Sequence, residues 1–499
     1  MTNAKVGICD IQLYVPKLHL PIETLAQARD LEYAKLNKGL GLYKMAIPDV
    51  HEDAATMAAN AVLRLIQRND LSPQQIGRIY LGTESALDGA KPTATYVLEM
   101  LRRKFRDQHG VDCFDNCDVV DLTFACVGGV DALHNTLDWV RGGSDRIGIV
   151  VTSDFAKYEL ASGGEYTQGA GAVAMLVKND PRLLVIHDTF GVGTRGVHDF
   201  YKPRRTFDKK QLIEEVLQLA GIDNLTSDEV LSKLPDTLEV SGLLDDNDEI
   251  VQVYKETPVF DGQYSNWTYG NRIREAYQHY CKLAGADHDV ILDWDRIIFH
   301  LPYAFHGKRI AAELFMMAMK AAGKWDSFAE ALDPEPERSA FASDEEYEKA
   351  ASYYLRSITK TDVYRAFVNE KLEKAQRASS SVGNMYACSI FLALMSTLEV
   401  DLQAYEDLAG KDLGFVGYGS GSKSKVFVGT VQPGWQSVVE HFGVFDTLSE
   451  SQAITYETYE QLHRGQLSQC VRPASGEFAI ERIGTEGTRQ GARYYHWVD

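Results

Sequence analysis

The sequence predicts an α/β fold built from two related halves. Two observations lead there: short apolar runs of strand character alternate with helix-like segments, and the same rhythm restarts late in the chain. The length agrees, since 499 residues exceed an ordinary single domain and suit two similar-sized domains or one duplicated body.

In the first half, apolar alternation over 5–15 reads as a strand, alanine-rich spacing over 52–68 as a helix, and 78–82 as a second strand. Strands are expected at 117–122, 146–153, 170–177 and 183–188, with a helix over 129–140. The second half repeats the pattern: a strand at 297–301, helices over 307–321 and 383–398, then strands at 412–417 and 425–431. The halves are placed at 1–201 and 258–499. A charged insertion at 202–257 separates them, and an acidic, proline-containing stretch near 333–348 forms a second insertion.

Composition excludes several functions. A hydrophobic fraction of 45% with 24% charged residues is that of a soluble protein, and no run approaches the roughly 20 apolar residues that span a bilayer. No secretory leader pattern opens the chain, so a cytoplasmic location is expected. A net charge of −20 argues against nucleic acid, which needs a basic face to release counterions. Seven cysteines without C-x-x-C pairs do not suggest disulfides. Cys113 and Cys117 are four apart, but nothing near them in sequence completes a zinc set, so no metal is expected.

Three stretches carry candidate chemistry. In DVVDLTFACVGGVDALHNTLDWV, Cys126 stands between a strand and a helix N-terminus, whose free N–H groups and partial positive charge favour a thiolate; on these residues alone a buried core thiol is the commoner reading. In GTESALDGAK, Glu84 follows a buried strand, where a carboxylate must be paired, hydrated or functional; a general base and an ion-paired carboxylate remain equal alternatives, Lys91 being the candidate partner. In IIFHLPYAFHGKR, His300 closes a strand, where it could polarise a carbonyl or simply be hydrogen-bonded in place; His306 reads as a turn residue. The glycine-rich GFVGYGSGSKSKVFVG is no phosphate loop.

Taken in order, GTES, FACVGG, GGEYTQGAGAVAM, HDFYKP, DGQYSN, FHLPY, SVGNMY and GYGSGS resemble 3-hydroxy-3-methylglutaryl-CoA (HMG-CoA) synthases over nearly the whole chain. The resemblance implies a thiolase-like fold, two similar halves in a five-layered αβαβα arrangement, and a homodimer. It implies an acyltransferase that condenses acetyl-CoA with acetoacetyl-CoA through an acetyl thioester, as in isoprenoid precursor synthesis by the mevalonate pathway. It assigns catalysis to Glu84, Cys126 and His300, and orientation of substrate to Asp154, Tyr158, Asp199, Asn384 and Ser420. No cofactor is implied, the CoA thioesters being substrates. Lys44, Lys308 and Arg309 are candidates for CoA phosphates.

Two positions depart from the family pattern: Phe305 stands where a CoA-anchoring lysine is common, and Val127 where an aromatic usually follows the cysteine. With the basic cluster Lys202, Arg204, Arg205, Lys209 and Lys210, they leave two alternatives: an acyl carrier protein as acyl donor, in β-branching of polyketides, or a non-catalytic acyl-binding homologue.

Overall fold

The computed structural model describes residues 5–143, 145–233 and 249–499. Its centre is a ten-stranded mixed sheet. In chain order the strands are β1 (Val6–Tyr14), β2 (Ile76–Gly82), β3 (Asp118–Leu122), β4 (Ile147–Ala156), β5 (Gly169–Asn179), β6 (Leu184–Ile186), β7 (Gly191–Thr194), β8 (Arg296–Phe299), β9 (Asp412–Gly419) and β10 (Lys423–Val431). The helices that matter for the site are α1 (Ala54–Arg68), α2 (Thr93–His109), α3 (Gly128–Arg141), α4 (Gly262–Ala284), α5 (His306–Ala321) and α6 (Ser389–Gln403).

The expected duplication is visible in the ladder. In the first half β2 runs parallel to both β3 and β4, while β5 pairs antiparallel with β4 and with β1. In the second half β8 is parallel to β9 and β10 is antiparallel to β9; β6 and β7, which precede the boundary placed at 201, pair antiparallel with β10 and so complete the second half-sheet. The halves are one sheet, because β6 also pairs with β1.

Side-chain alternation sorts the layers. Ile79 and Leu81 of β2 point into a core with α1 and α2, while Gly82 faces the start of α3. On β9, Gly414 faces Trp294, which packs on Tyr277 and Tyr280 of α4, and Gly417 faces Val130 of α3 and Ile390 of α6. Helices α3 and α6 therefore lie between the two half-sheets, with α1 and α2 outside one and α4 and α5 outside the other, the five layers expected.

Asp53 starts α1 by accepting the Thr56 N–H at 2.9 Å in a capping box. The helix expected over 383–398 begins only at Ser389. Upstream, Gly383 (φ 88°) and Tyr386 (φ 44°) lie in the left-handed region, which a helix cannot contain. Arg204–Asp208 and Ile250–Tyr254 pair as a separate ribbon within the charged stretch, whose residues 234–248 lie outside the described residues. The stretch near 333–348 leads into a helix, Asp344–Ile358. Among the described residues no helix is long and apolar enough to cross a membrane.

Candidate active site

Register brings the candidates of the first half together. Leu122, Gly82 and Thr152 are level across β3, β2 and β4, so Cys126, Glu84 and Asp154 all emerge at the carboxyl ends of parallel strands, where sites in such sheets form. The turn from β3 into α3 puts Ala125 at φ 40°, a strained conformation for a residue with a side chain. α3 can approach this closely because Gly129 has no side chain: a Cβ there would lie 2.4 Å from Thr152 Cγ2 and 2.9 Å from the Ala387 carbonyl oxygen.

The Cys126 thiol donates to Glu84 Oε1 at 3.2 Å. Both groups are buried. Burial first, then the charge of Glu84, pushes the thiol well above its ordinary value, so a helix terminus does not hold a thiolate ready here. Burial also raises Glu84 to about 7, against the opposing pull of Lys202. Lys202, not Lys91, is its cation: Nζ donates to the Glu84 carbonyl oxygen at 3.0 Å and lies 3.9 Å from Oε2, whereas Lys91 bonds Thr95 and covers the Tyr96 ring.

Asp154 stands behind this pair. It accepts from the Glu84 N–H and Thr83 hydroxyl at 2.9 Å, and from the Ala387 N–H at 2.9 Å, joining the two halves through one carboxylate. Burial raises it to about 6 despite those bonds.

A cavity of about 610 Å3 opens above Cys126. Tyr158, Asn384, Ser420 and Arg309 line it, with His300 and His306. His300 closes β8, its N–H bonded to the Val416 carbonyl at 3.0 Å. Burial lowers both histidines to about 3, so each ring is neutral. Neither nitrogen of either ring has a hydrogen-bond partner among the described residues, an arrangement that invites a ligand. His306 is thus no plain turn residue; its ring packs edge-on against Tyr269 and Tyr303.

Asp199 is fully buried and holds motifs rather than facing the cavity. It accepts from Tyr418 Oη at 2.9 Å, the Gly421 N–H at 2.7 Å and Ser265 Oγ at 3.2 Å, tying HDFYKP to GYGSGS and DGQYSN. Asn384 turns its amide oxygen to the Tyr386 N–H at 2.9 Å. Tyr158 and Tyr386, with Phe200, enclose the thiol in an aromatic cluster.

Three expectations meet a different arrangement. Lys44 is turned away from the cavity onto the Leu448 carbonyl and Ser451. Lys308 lies over the Phe305 ring at 3.2 Å, and Phe305 packs on Gly41; of the two basic candidates only Arg309 reaches the cavity. The basic cluster is dispersed, since Lys202 turns inward to Glu84, Lys209 is buried and Lys210 pairs with Asp228 at 2.9 Å. Val127 fills the space beside Gly417 and Gly419. Sequence reasoning missed Lys202 and Tyr386 as site residues, although both stand inside quoted motifs, HDFYKP and SVGNMY.

Comparison with known proteins agrees with this architecture. The model for the N-terminal domain of hydroxymethylglutaryl-coenzyme A synthase matches residues 2–181, and that for its C-terminal domain residues 251–465. A hydroxymethylglutaryl-CoA synthase of Haloferax volcanii is 30% identical over 461 residues, covering 92% of this chain and 91% of the relative. One from Enterococcus faecalis is 26% identical and covers 91% and 90%. The solved structure of MvaS in complex with 3-hydroxy-3-methylglutaryl coenzyme A matches with a TM-score of 0.73 at 25% identity, over 99% of this chain and 100% of the other. The HMG synthase of the curacin biosynthetic pathway, in complex with an acetyl donor-ACP, shares the fold at 19% identity and a TM-score of 0.69, over 99% and 100%. Both family domains match in their proper order across the two halves of a thiolase-like fold, and the chain belongs to the hydroxymethylglutaryl-CoA synthase family.

Proposed function

We propose that this chain condenses acetyl-CoA with acetoacetyl-CoA to give HMG-CoA and CoA, as a homodimeric acyltransferase that carries the acetyl group on Cys126. One observation carries the reading: a thiol hydrogen-bonded to a carboxylate at 3.2 Å shares a cavity with two neutral, unpartnered imidazoles.

Cys126 Sγ attacks the acetyl-CoA carbonyl as its proton passes to Glu84, and the carbon–sulfur bond to CoA breaks with that proton returned to the leaving thiolate. Glu84, again a carboxylate, removes a proton from the methyl group of acetyl-Cys126. The resulting enolate attacks the ketone of acetoacetyl-CoA, and Glu84 returns the proton to the new alkoxide. Neutral His300 donates a hydrogen bond to that ketone and to the alkoxide it becomes. Water then hydrolyses the Cys126 thioester and restores the thiol. Asp154 holds Glu84 through its backbone, Lys202 favours its ionised form, and Tyr158, Asn384 and Ser420 supply the cavity wall. Arg309 is the basic group at the cavity that suits a CoA phosphate. Dispersal of the basic cluster favours CoA over a carrier protein as donor.

The test is to incubate the protein with acetyl-CoA or with acetyl carrier protein alone, locate the adduct by peptide mass, then add acetoacetyl-CoA. Acetyl on Cys126 and product from the CoA form are expected. Full activity in Cys126→Ser, or no acetylation of Cys126 from either donor, overturns the reading. Faster turnover of the carrier form would reassign the donor.

A further inference from the structure

Away from the cavity, one group of side chains carries metal-ligand chemistry. Asp49, His51 and Cys470 each present a ligand atom, and these atoms lie within 4.8 Å of one another. Asp49 and His51 precede α1. Cys470 belongs to the stretch beyond residue 465, where the C-terminal family match ends. Asp49 and His51 are two residues apart, but Cys470 lies far along the chain and only the fold brings it to them.

The backbone already draws these segments together. Asp49 accepts the N–H groups of Val471 at 3.0 Å and Arg472 at 2.8 Å, and the Ile480 N–H donates to the His51 carbonyl at 2.9 Å. The His51 ring is the independent observation. The residue is only 7% exposed, and its Nδ1, 4.0 Å from Asp49 Oδ2, has no hydrogen-bond partner among the described residues. A buried polar atom left unpaired costs stability.

The other ring nitrogen, Nε2, faces Glu477 Oε1 at 3.6 Å, and that carboxylate is held by Lys17 at 2.7 Å and Tyr14 Oη at 2.9 Å. An imidazole that directs Nε2–H to a carboxylate offers the Nδ1 lone pair on its other side, the pattern typical of metal-bound histidines. Sulfur, imidazole nitrogen and a carboxylate oxygen form a donor set suited to Zn2+ or Co2+.

We propose that Asp49, His51 Nδ1 and Cys470 bind one divalent ion of the zinc class, with water completing the coordination. Binding draws the three atoms onto bonds of about 2.0–2.3 Å and releases the Cys470 thiol proton to solvent. The ion fastens the C-terminal hairpin, in which Glu477–Ile483 pairs with Arg493–Val498, to the segment that starts α1. It takes no part in the chemistry at Cys126.

The test titrates the metal-free full-length protein with Co2+ in a Cys126→Ser background, which removes the buried active-site thiol as a competing ligand. A sulfur-to-cobalt charge-transfer band in the near ultraviolet is expected, saturating at one ion per chain, displaced by Zn2+ and accompanied by a higher Tm. Cys470→Ser, at an exposed position, loses the band and the Tm rise and binds Zn2+ at least about tenfold more weakly. His51→Gln also loses the band. Absence of the band, or a band and Tm rise that survive Cys470→Ser, overturns the proposal and leaves His51 as an ion-pair partner of Asp49 and Glu477.

Discussion

Lys202 places its ammonium 3.0 Å from the backbone carbonyl of Glu84 and 3.9 Å from Oε2 of the same residue, while burial raises the Glu84 carboxyl to about 7. The cation and the dry surroundings pull in opposite directions.

The base form of Glu84 therefore appears as pH rises through about 7, and kcat/KM should climb through that range. Glu84→Ala abolishes the climb and slows condensation about 10²–10⁴-fold, while acetylation of Cys126 by acetyl-CoA remains detectable by mass. A pH-rate profile on both proteins decides this; a rising limb unchanged in the variant would falsify the assignment.

Stability follows the same group with the opposite sign. The folded-state pKa of Glu84 is raised, so between the ordinary carboxyl range and about 7 the folded chain binds more protons than the unfolded one, and its contribution to stability falls as pH rises. Glu84→Gln removes that contribution. Urea midpoints measured across this window should decline less with pH in the variant than in the parent.

Lys202→Met takes away the positive charge that favours ionised Glu84. The rising limb moves to higher pH, and Lys202→Arg returns it part of the way. A purely structural role would lower activity at every pH without displacing the limb.

His300 is neutral, with burial holding it near 3, so no ionisation of this ring shapes the profile around neutrality. His300→Ala raises KM for acetoacetyl-CoA and lowers kcat, yet acetyl-Cys126 forms at close to the parental rate. Single-turnover acetylation followed by steady-state condensation separates the two steps.

Gly129→Ala drives a methyl group against Thr152 and the Ala387 carbonyl. Overpacking of this kind costs about 1–3 kcal/mol, read as a lower urea midpoint. Because the same residue sets how closely α3 approaches β4, Cys126 acetylation slows as well.

Much of this was legible from residue pattern. Strand positions in both halves follow from apolar runs, because buried strands need them whatever they pair with. Glu84, Cys126 and His300 stand out as a carboxylate, a thiol and an imidazole at strand ends, but each has an ordinary structural reading at least as common, and the ordered resemblance to HMG-CoA synthases is what assigns them to catalysis. What escaped depends on partners distant in sequence. Lys202 looks like one more cation in a basic run, and only the fold turns it inward to Glu84. Residues 383–388 look helical because periodicity does not register a positive φ, and Gly383 and Tyr386 both have one. His306 reads as a turn residue until Tyr269 and Tyr303 enclose it.

The three-residue strand β6 bonds to β1 on one side and β10 on the other. Cys126 and His300 are thereby mounted on a single backbone ladder, and moving one half away from the other would tear hydrogen bonds out of the interior. Their spacing is set when the chain folds and is inherited by every turnover.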